Sequence, residues 1–144
     1  AELDRRRTGA QADDDSFLGL THASGVRSHL WVSALAAQTG PRMRVLGASA
    51  AYVKYGLDLQ EDALRDGASP ADPAFGQDPE DRWGTLSTGA AGRRIPTEPG
   101  AYRQFYSAVA CSLREGSPVP VDPRDAVRTL EIIEAAQRYG SRDG

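Results

Sequence analysis

The chain has 144 residues, enough for one domain with a hydrophobic core. Its 17 Lys and Arg against 20 Asp and Glu give a net charge of −3, which disfavours a nucleic-acid partner because phosphate neutralisation needs a basic surplus. No apolar run reaches the ~20 residues of a membrane helix, and the charged start does not resemble a signal peptide. The single cysteine, Cys111, excludes an internal disulfide. From these three observations we expect a cytoplasmic protein without a membrane partner.

The first half of the chain predicts antiparallel strands joined by turns. Apolar side chains recur at strand spacing over residues 16–22 and 26–33, and Gly25 can adopt the positive φ of the turn between them. Two further strands are predicted over residues 42–46 and 50–55. The pattern indicates a hairpin followed by a second strand pair.

The middle of the chain predicts a short helix, a long loop and a last strand pair. Asp58 and Glu61 have the spacing of a capping box, and Gly67 is placed to end the helix. Residues 68–81 contain three prolines and no apolar periodicity, which is typical of a surface loop. The last strand pair is predicted to lie on either side of a turn at residues 89–92, over residues 83–88 and 93–97.

The end of the chain predicts two helices. The first carries one apolar stripe, which we expect to contribute to the core, at Tyr102, Phe105, Tyr106, Val109 and Leu113. Gly116 and Pro118 end this helix. Asp122 is a favourable N-cap for the second helix, with Pro123 at its first position.

The order of these elements, strands first and helices last, predicts an α+β domain over residues 1–144. We expect an open-faced, mostly antiparallel or mixed sheet with helices packed on one face. The strand residues cannot all face a single layer of helices, so an apolar patch is left on the open face. We therefore expect a homo-oligomer through the sheet face, with a patch drawn from Leu18, Leu20, Leu30, Val32, Val45 and Tyr52.

Common catalytic and metal motifs are missing from the sequence. It contains no G-x-G-x-x-G, no phosphate-binding loop and no G-x-S-x-G elbow. His22 and His29 are a weak candidate for a metal pair, and we expect no metal site. Cys111 is predicted to be a buried, inert thiol. The run of three arginines at residues 5–7 is balanced by three aspartates at residues 13–15, which favours a solvated loop or strand edge over a phosphate site.

Five strings, taken in order, carry a resemblance to a known family. They are Gly25-Val-Arg-Ser-His-Leu, Gly47-Ala-Ser-Ala-Ala-Tyr-Val-Lys-Tyr-Gly-Leu-Asp, Trp83-Gly-Thr-Leu, Pro96-Thr-Glu-Pro-Gly-Ala-Tyr-Arg-Gln-Phe-Tyr, and Pro118-Val-Pro-Val-Asp-Pro-Arg-Asp-Ala-Val with Ile132-Ile-Glu-Ala-Ala. Together they resemble the C-terminal domain of the glucose–fructose oxidoreductase / inositol dehydrogenase / MocA (Gfo/Idh/MocA) family. The resemblance runs from about Ala1 to Arg142. It implies a dihydrodipicolinate reductase-like C-terminal domain that commonly builds dimers or tetramers.

The resemblance also implies a function and a missing partner domain. Members of the family are NAD(P)-dependent oxidoreductases of sugars, inositols and related polyols, with an N-terminal Rossmann domain that holds the nucleotide. That domain, the glycine-rich loop and the lysine of a Glu-Lys-Pro motif are absent from this sequence. Lys54 does not match that lysine. We expect NAD or NADP in the full-length protein, no cofactor on this fragment, and no activity from the fragment alone.

Five residues are candidates for contact with the sugar or polyol, each with a structural alternative. Lys54 can donate to hydroxyls or an anionic group, or it is a solvated lysine at a strand end. Tyr102 can reach a sugar through its hydroxyl, or it begins the core stripe. His22 and Arg27 flank the hairpin turn, where an exposed or interface role is the alternative. Trp83 can stack on the apolar face of a sugar, or it anchors the sheet or the loop at residues 68–81.

Two other function classes remain open at this point. The first is a non-catalytic binding or assembly domain that dimerises through its open sheet face, and it rests on the apolar strands and the missing catalytic motifs. The second is a small metal-independent hydrolase or isomerase, for which the sequence offers only scattered Asp, Glu and His.

Overall fold

The computed structural model describes residues 1–140, which form seven strands, three α-helices and one short 3-10 helix. The strands are β1 Glu2–Asp4, β2 Asp15–Thr21, β3 Arg27–Ser33, β4 Met43–Leu46, β5 Ala51–Lys54, β6 Gly84–Thr88 and β7 Ala91–Ile95. The helices are α1 Gln60–Arg65, α2 Tyr102–Glu115 and α3 Pro123–Gly140, with the 3-10 helix at Glu80–Arg82. The predicted α+β class is confirmed.

The described chain divides into two compact units. Unit 1 combines residues 1–38 with the segment from residue 121 onward, and unit 2 is the continuous stretch 39–120. The strands pair in two sheets, β1-β2-β3 in unit 1 and β4-β5-β6-β7 in unit 2. Every pair is antiparallel. Hydrogen bonding therefore gives two sheets where the sequence pattern predicts one.

The predicted hairpin of unit 1 is present. β2 and β3 pair over seven residues, and the turn between them closes with the His22 amide donating to the Val26 carbonyl at 2.8 Å. Both faces carry apolar groups, because Phe17 pairs with Trp31 on one face and Leu18 pairs with Leu30 on the other. Strand β1 was not predicted, since three residues are too few for a periodic pattern.

Asp14 organises the charged segment at the start of unit 1. Its buried carboxylate accepts hydrogen bonds from the Arg6 amide at 2.7 Å, the Arg7 amide at 3.1 Å and Arg7 Nε at 2.9 Å. These bonds, led by that from the Arg6 amide, outweigh the burial of the carboxyl and lower the pKa of Asp14 to about 2. Arg5 and Arg6 reach the flanking aspartates, so the two charge runs neutralise one another as their balance predicts.

The sheet of unit 2 is ordered by its register. Across all four strands, one row of paired residues runs Arg44, Val53, Thr85 and Arg94. The predicted turn at residues 89–92 is wrong in length, because Thr88 pairs directly with Ala91 and only two residues form the turn. Such a tight hairpin turn needs positive φ, which Gly89 supplies at +68°.

The helix ends agree with the sequence except at the start of α1. The N-cap of α1 is Leu59, so the predicted capping box is wrong; Asp58 instead accepts the Gln60 amide at 2.7 Å, two residues along the chain. Gly67, with φ +84°, follows the end of α1 as predicted. At the start of α3 the Asp122 carboxylate accepts the Arg124 amide at 2.9 Å, which confirms the predicted cap.

Four of the five residues in the apolar stripe of α2 are exposed, and Val109 is half-buried, so the stripe does not form the core that the sequence predicts. Tyr106 is 69% exposed and Leu113 is 84% exposed. Cys111 is also exposed, so the prediction of a buried thiol is wrong. A helical apolar pattern predicts which face of a helix is suited to packing, but it does not identify the surface that packs against that face. Within residues 1–140, no helix is long and apolar enough to cross a membrane.

Candidate functional site

Unit 2 contains a groove beside Trp83, with a volume of about 590 Å³. The register places three of its walls side by side, because Val53, Thr85 and Arg94 are paired neighbours on β5, β6 and β7. The 3-10 helix and the residue that follows it contribute Asp81, Arg82 and Trp83 to the lining of the groove. We call it the Trp83 groove; it is lined by Val53, Tyr55, Gly56, Asp81, Arg82, Trp83, Thr85 and Arg94.

A buried ion pair lies next to the groove. Lys54 Nζ donates to Asp78 Oδ2 at 2.6 Å and to the Arg82 carbonyl at 2.8 Å, and the two side chains are 15% and 8% exposed. The Trp83 indole donates to the Asp78 carbonyl at 3.1 Å. Asp78 therefore joins Lys54 and Trp83, two of the candidate residues. An ammonium has three donors, and these contacts use two of them.

The environment of Asp78 keeps its carboxyl ionised. Burial raises the pKa of Asp78, but the hydrogen bond from Lys54 and the charges of Lys54 and Arg82 outweigh it and lower the pKa below its ordinary value. The ionised carboxylate holds the Lys54 ammonium through a charge-assisted hydrogen bond. This arrangement favours an anchoring role for Lys54; its contact with substrate stays a prediction.

Tyr102 lies at a second polar cluster of unit 2, where its backbone is held by Gln60. The Tyr102 amide donates to Gln60 Oε1 at 3.0 Å, and Gln60 Nε2 donates to both Asp58 carboxylate oxygens at 3.1 Å. Gln60 is only 1% exposed. Sequence reasoning missed it, because a glutamine at the start of a helix is ordinary and its partner lies 42 residues away.

His22 and Arg27 lie in unit 1, at the turn between β2 and β3. The His22 ring nitrogen is 2.8 Å from Ser28 Oγ, and Arg27 pairs with Thr21 as the first residue of β3. Both side chains belong to exposed residues. Among residues 1–140 no group of three His, Cys, Asp or Glu is arranged to hold a metal ion. The structure therefore brings Lys54 and Trp83 together, and the substrate roles of all five candidates stay predictions.

The chain matches known proteins over nearly its whole length. The model of the oxidoreductase family, C-terminal alpha/beta domain, matches residues 1–141. Scyllo-inositol 2-dehydrogenase (NADP(+)) IolW of Bacillus subtilis strain 168 is 33% identical over 140 residues, covering 94% of this chain and 39% of that protein. The uncharacterized oxidoreductase YdgJ of Escherichia coli strain K12 is 33% identical over 137 residues, with 92% and 39% covered. The chain thus spans about two fifths of the length of these relatives.

Solved structures agree with the sequence matches. YvaA of Bacillus subtilis superposes with a TM-score of 0.88 at 32% identity, covering 97% of this chain and 43% of that one. A Bacteroides fragilis protein gives a TM-score of 0.89 at 33% identity, with 99% and 44% covered. The resemblance carried by the five strings is confirmed, and the chain belongs to the Gfo/Idh/MocA oxidoreductase family as a C-terminal alpha/beta domain.

Proposed function

We propose that this chain is the C-terminal half of an NAD(P)-dependent oxidoreductase that acts on a sugar, an inositol or a related polyol. It supplies part of the substrate pocket and the oligomer interface. The observation that carries the proposal is the family match over residues 1–141, together with 33% identity to a scyllo-inositol 2-dehydrogenase (NADP(+)).

The nucleotide belongs to another part of the parent protein in this proposal. Dinucleotides are held where a parallel strand, a glycine-rich turn and a helix meet. Every strand pair among residues 1–140 is antiparallel, and the sequence has no G-x-G-x-x-G. The described residues do not fit the cofactor, so the redox step requires the Rossmann domain, which is the partner of this chain. The name of the Bacillus relative supports NADP, and NAD is the alternative.

The substrate contacts are assigned to unit 2. Trp83 lines the groove and offers an aromatic surface to the apolar face of a sugar ring. Lys54 holds the segment from Asp78 to Trp83 against β5, which positions that surface. Tyr102 is 40% exposed, so its hydroxyl remains a candidate donor. His22 and Arg27 are assigned an exposed or interface role at the turn of unit 1.

Exposed apolar strands support a homo-oligomer. In unit 1, Leu30 and Val32 are 41% and 64% exposed on one face of β3, and in unit 2 Val45 is 53% exposed on β4. A second copy would remove this area from water. Light scattering of the chain should give at least a dimer, and Val32→Asp should shift it toward monomer; a wild-type monomer at high concentration would contradict the interface.

We also infer a cytoplasmic location for the parent protein. Its only cysteine in this segment, Cys111, is an exposed thiol, which a reducing compartment preserves. Cell fractionation of the native protein tests this, and recovery outside the cytoplasm would contradict it.

Activity of the complete gene product tests the redox function. We would follow nicotinamide absorbance with a panel of inositols, hexoses and alditols, using NAD and NADP in separate series. Oxidation of at least one polyol is the expected result. A complete reading frame without a strand, glycine-rich turn and helix unit would overturn the proposal. In that case the alternative, a non-catalytic assembly domain that dimerises through the open sheet face, explains the exposed strands.

A further inference from the structure

The Trp83 groove contains two arginines that are held by backbone carbonyls. Arg82 Nη2 donates to the Leu57 carbonyl at 3.0 Å. Arg94 Nη1 donates to the Trp83 carbonyl at 2.6 Å, and its Nη2 to the Asp81 carbonyl at 3.4 Å. Within the described part of the chain, neither guanidinium forms a salt bridge with a carboxylate. Neither guanidinium is therefore paired with a carboxylate of residues 1–140 at salt-bridge distance.

These hydrogen bonds hold the two guanidinium groups in position and leave most of their N–H donors without a partner among the described residues. Each guanidinium carries five N–H donors in a planar fork, and the three hydrogen bonds to carbonyls leave most of them available. A side chain already held in one position loses less conformational entropy when a ligand binds. Planar forks of this kind match the paired oxygens of carboxylates and phosphates.

The other lining residues of the groove restrict the rest of a ligand that carries such an anionic group. Val53, Tyr55 and Trp83 present apolar and aromatic surface, whereas Thr85 and Asp81 can hydrogen bond to hydroxyls. Asp81 also reduces the net charge of the groove to about one positive charge, which suits a small monoanion better than a polyanion such as nucleic acid. A volume of about 590 Å³ is in the range of small-molecule sites.

We propose that the Trp83 groove binds a small polyhydroxylated molecule through an oxyanion, a carboxylate or phosphate group, held between Arg82 and Arg94. The inference rests on the proposed function, because it names the chemical class of substrate for the groove already assigned to substrate contact; binding of the oxyanion itself requires neither a nicotinamide nor another domain. Arg94 donates a hydrogen bond to the Trp83 carbonyl, and the Trp83 indole donates one to the Asp78 carbonyl. Binding of a ligand to Arg94 should therefore change the environment of the Trp83 indole.

Nuclear magnetic resonance of the tryptophan indoles tests the site in the 144-residue chain. The sequence has two tryptophans, Trp83 in unit 2 and Trp31 in unit 1, so Trp31 serves as an internal control. We would titrate inorganic phosphate and D-gluconate, with sodium chloride at equal ionic strength and uncharged D-glucitol as controls. The expected result is a saturable shift of the Trp83 indole, absent from Trp31, with at least one of the two anions.

The choice of anion identifies the source of the oxyanion, and either choice supports the proposal. A response to phosphate alone assigns a phosphorylated ligand, and a response to D-gluconate alone assigns an acid. No saturable Trp83 shift with either anion would overturn the proposal. A shift that sodium chloride reproduces would overturn it as well. A shift that uncharged D-glucitol reproduces would overturn the oxyanion inference while supporting the proposed polyol pocket, and none of these results depends on a variant folding.

Charge-removing variants supply the matched comparison. Arg82→Gln and Arg94→Gln should each weaken binding by about tenfold or more, since each removes one fork from the anion. Arg93→Gln is the control, because Arg93 adjoins Arg94 on β7 and alternation places it on the opposite face of the strand. Its binding should stay within about twofold of wild type. Equal weakening in all three variants would mean general electrostatic attraction and contradict the site.

Discussion

The Tyr102 amide donates to the Oε1 atom of Gln60 at 3.0 Å, which ties the first residue of α2 to the first residue of α1. The same glutamine side chain donates to Asp58. One buried side-chain amide therefore joins Asp58, which precedes α1, to the first residue of α2.

Gln60→Ala should destabilise unit 2 by about 1–3 kcal/mol, because it leaves the Tyr102 amide without its acceptor and removes the side-chain donor of the Asp58 carboxylate. Urea unfolding followed by Trp83 fluorescence in a Trp31→Phe background measures the change. Gln104→Ala is the control: Gln104 is exposed on α2, and its loss should change stability by less than about 0.5 kcal/mol. Equal effects of the two substitutions would contradict the role of Gln60.

Lys54→Met should destabilise unit 2 by about 2–3 kcal/mol, between the values for exposed and fully buried pairs, because it leaves the Asp78 carboxylate without its ammonium. Adding Asp78→Leu should recover part of the loss, since no uncompensated charge then remains. The exposed pair of Glu61 and Arg65 gives the comparison, and Arg65→Gln should cost under about 1 kcal/mol.

Substitution of both Lys54 and Asp78 also distinguishes the two roles considered for Lys54, an anchor of the neighbouring segment and a contact to substrate. If the parent protein is the proposed oxidoreductase and Lys54 acts only as an anchor, the apolar pair of the double variant Lys54→Met/Asp78→Leu should keep the segment from Asp78 to Trp83 in place and leave the substrate KM unchanged. A rise in KM at unchanged thermal stability would instead assign Lys54 to substrate contact.

Asp14 should make unit 1 sensitive to acid. Its pKa falls from the ordinary 3.8 to about 2 on folding, so its ionised form stabilises the fold above pH 3.8. That contribution declines as the pH falls below 3.8 and is lost below about 2. The stability difference between wild type and Asp14→Asn should therefore shrink over this range.

Urea unfolding between pH 2 and pH 5, followed by Trp31 fluorescence in a Trp83→Phe background, measures the acid response. Asp13→Asn is the control, because its partner Arg5 is an exposed side chain. A difference between wild type and Asp14→Asn that stays constant with pH would contradict the assignment.

Gly84→Ala should destabilise the sheet of unit 2 by about 1–3 kcal/mol, because a Cβ at Gly84 would collide with the Tyr52 ring. The ring lies over Gly84 because Tyr52 pairs with Leu86, two residues further along β6 on the same face. Gly19→Ala is the matched strand control, since its Cβ would meet nothing within 4 Å. Equal stability of both variants in thermal unfolding would contradict the packing of Tyr52.

The sequence predicted those elements whose signal is local. Alternation placed β2 and β3 to within a residue or two, and Asp122 was recognised as the cap of α3 because its partner amide is two residues away. Resemblance of five short strings identified the family before any geometry was known.

What the sequence could not predict depends on distant partners. The contacts of Gln60 with Tyr102 and of Lys54 with Asp78 join segments 42 and 24 residues apart, and no periodicity marks them. The groove arises from strand register, which sets Val53, Thr85 and Arg94 side by side. The stripe of α2 was misassigned to a core for a related reason, since amphipathicity does not identify the covering surface.

The division of the chain into a continuous unit and a discontinuous one has a consequence for biosynthesis. Unit 2 is a single stretch and has all its residues once position 120 has left the ribosome. Unit 1 must wait, because Leu3 of β1 packs against Gly140 at the far end of α3. Strand β1 can pair with β2 as soon as both have been made, but its contact with α3 waits for the end of that helix. Premature termination after residue 120 would therefore release a complete unit 2 with an unfinished unit 1.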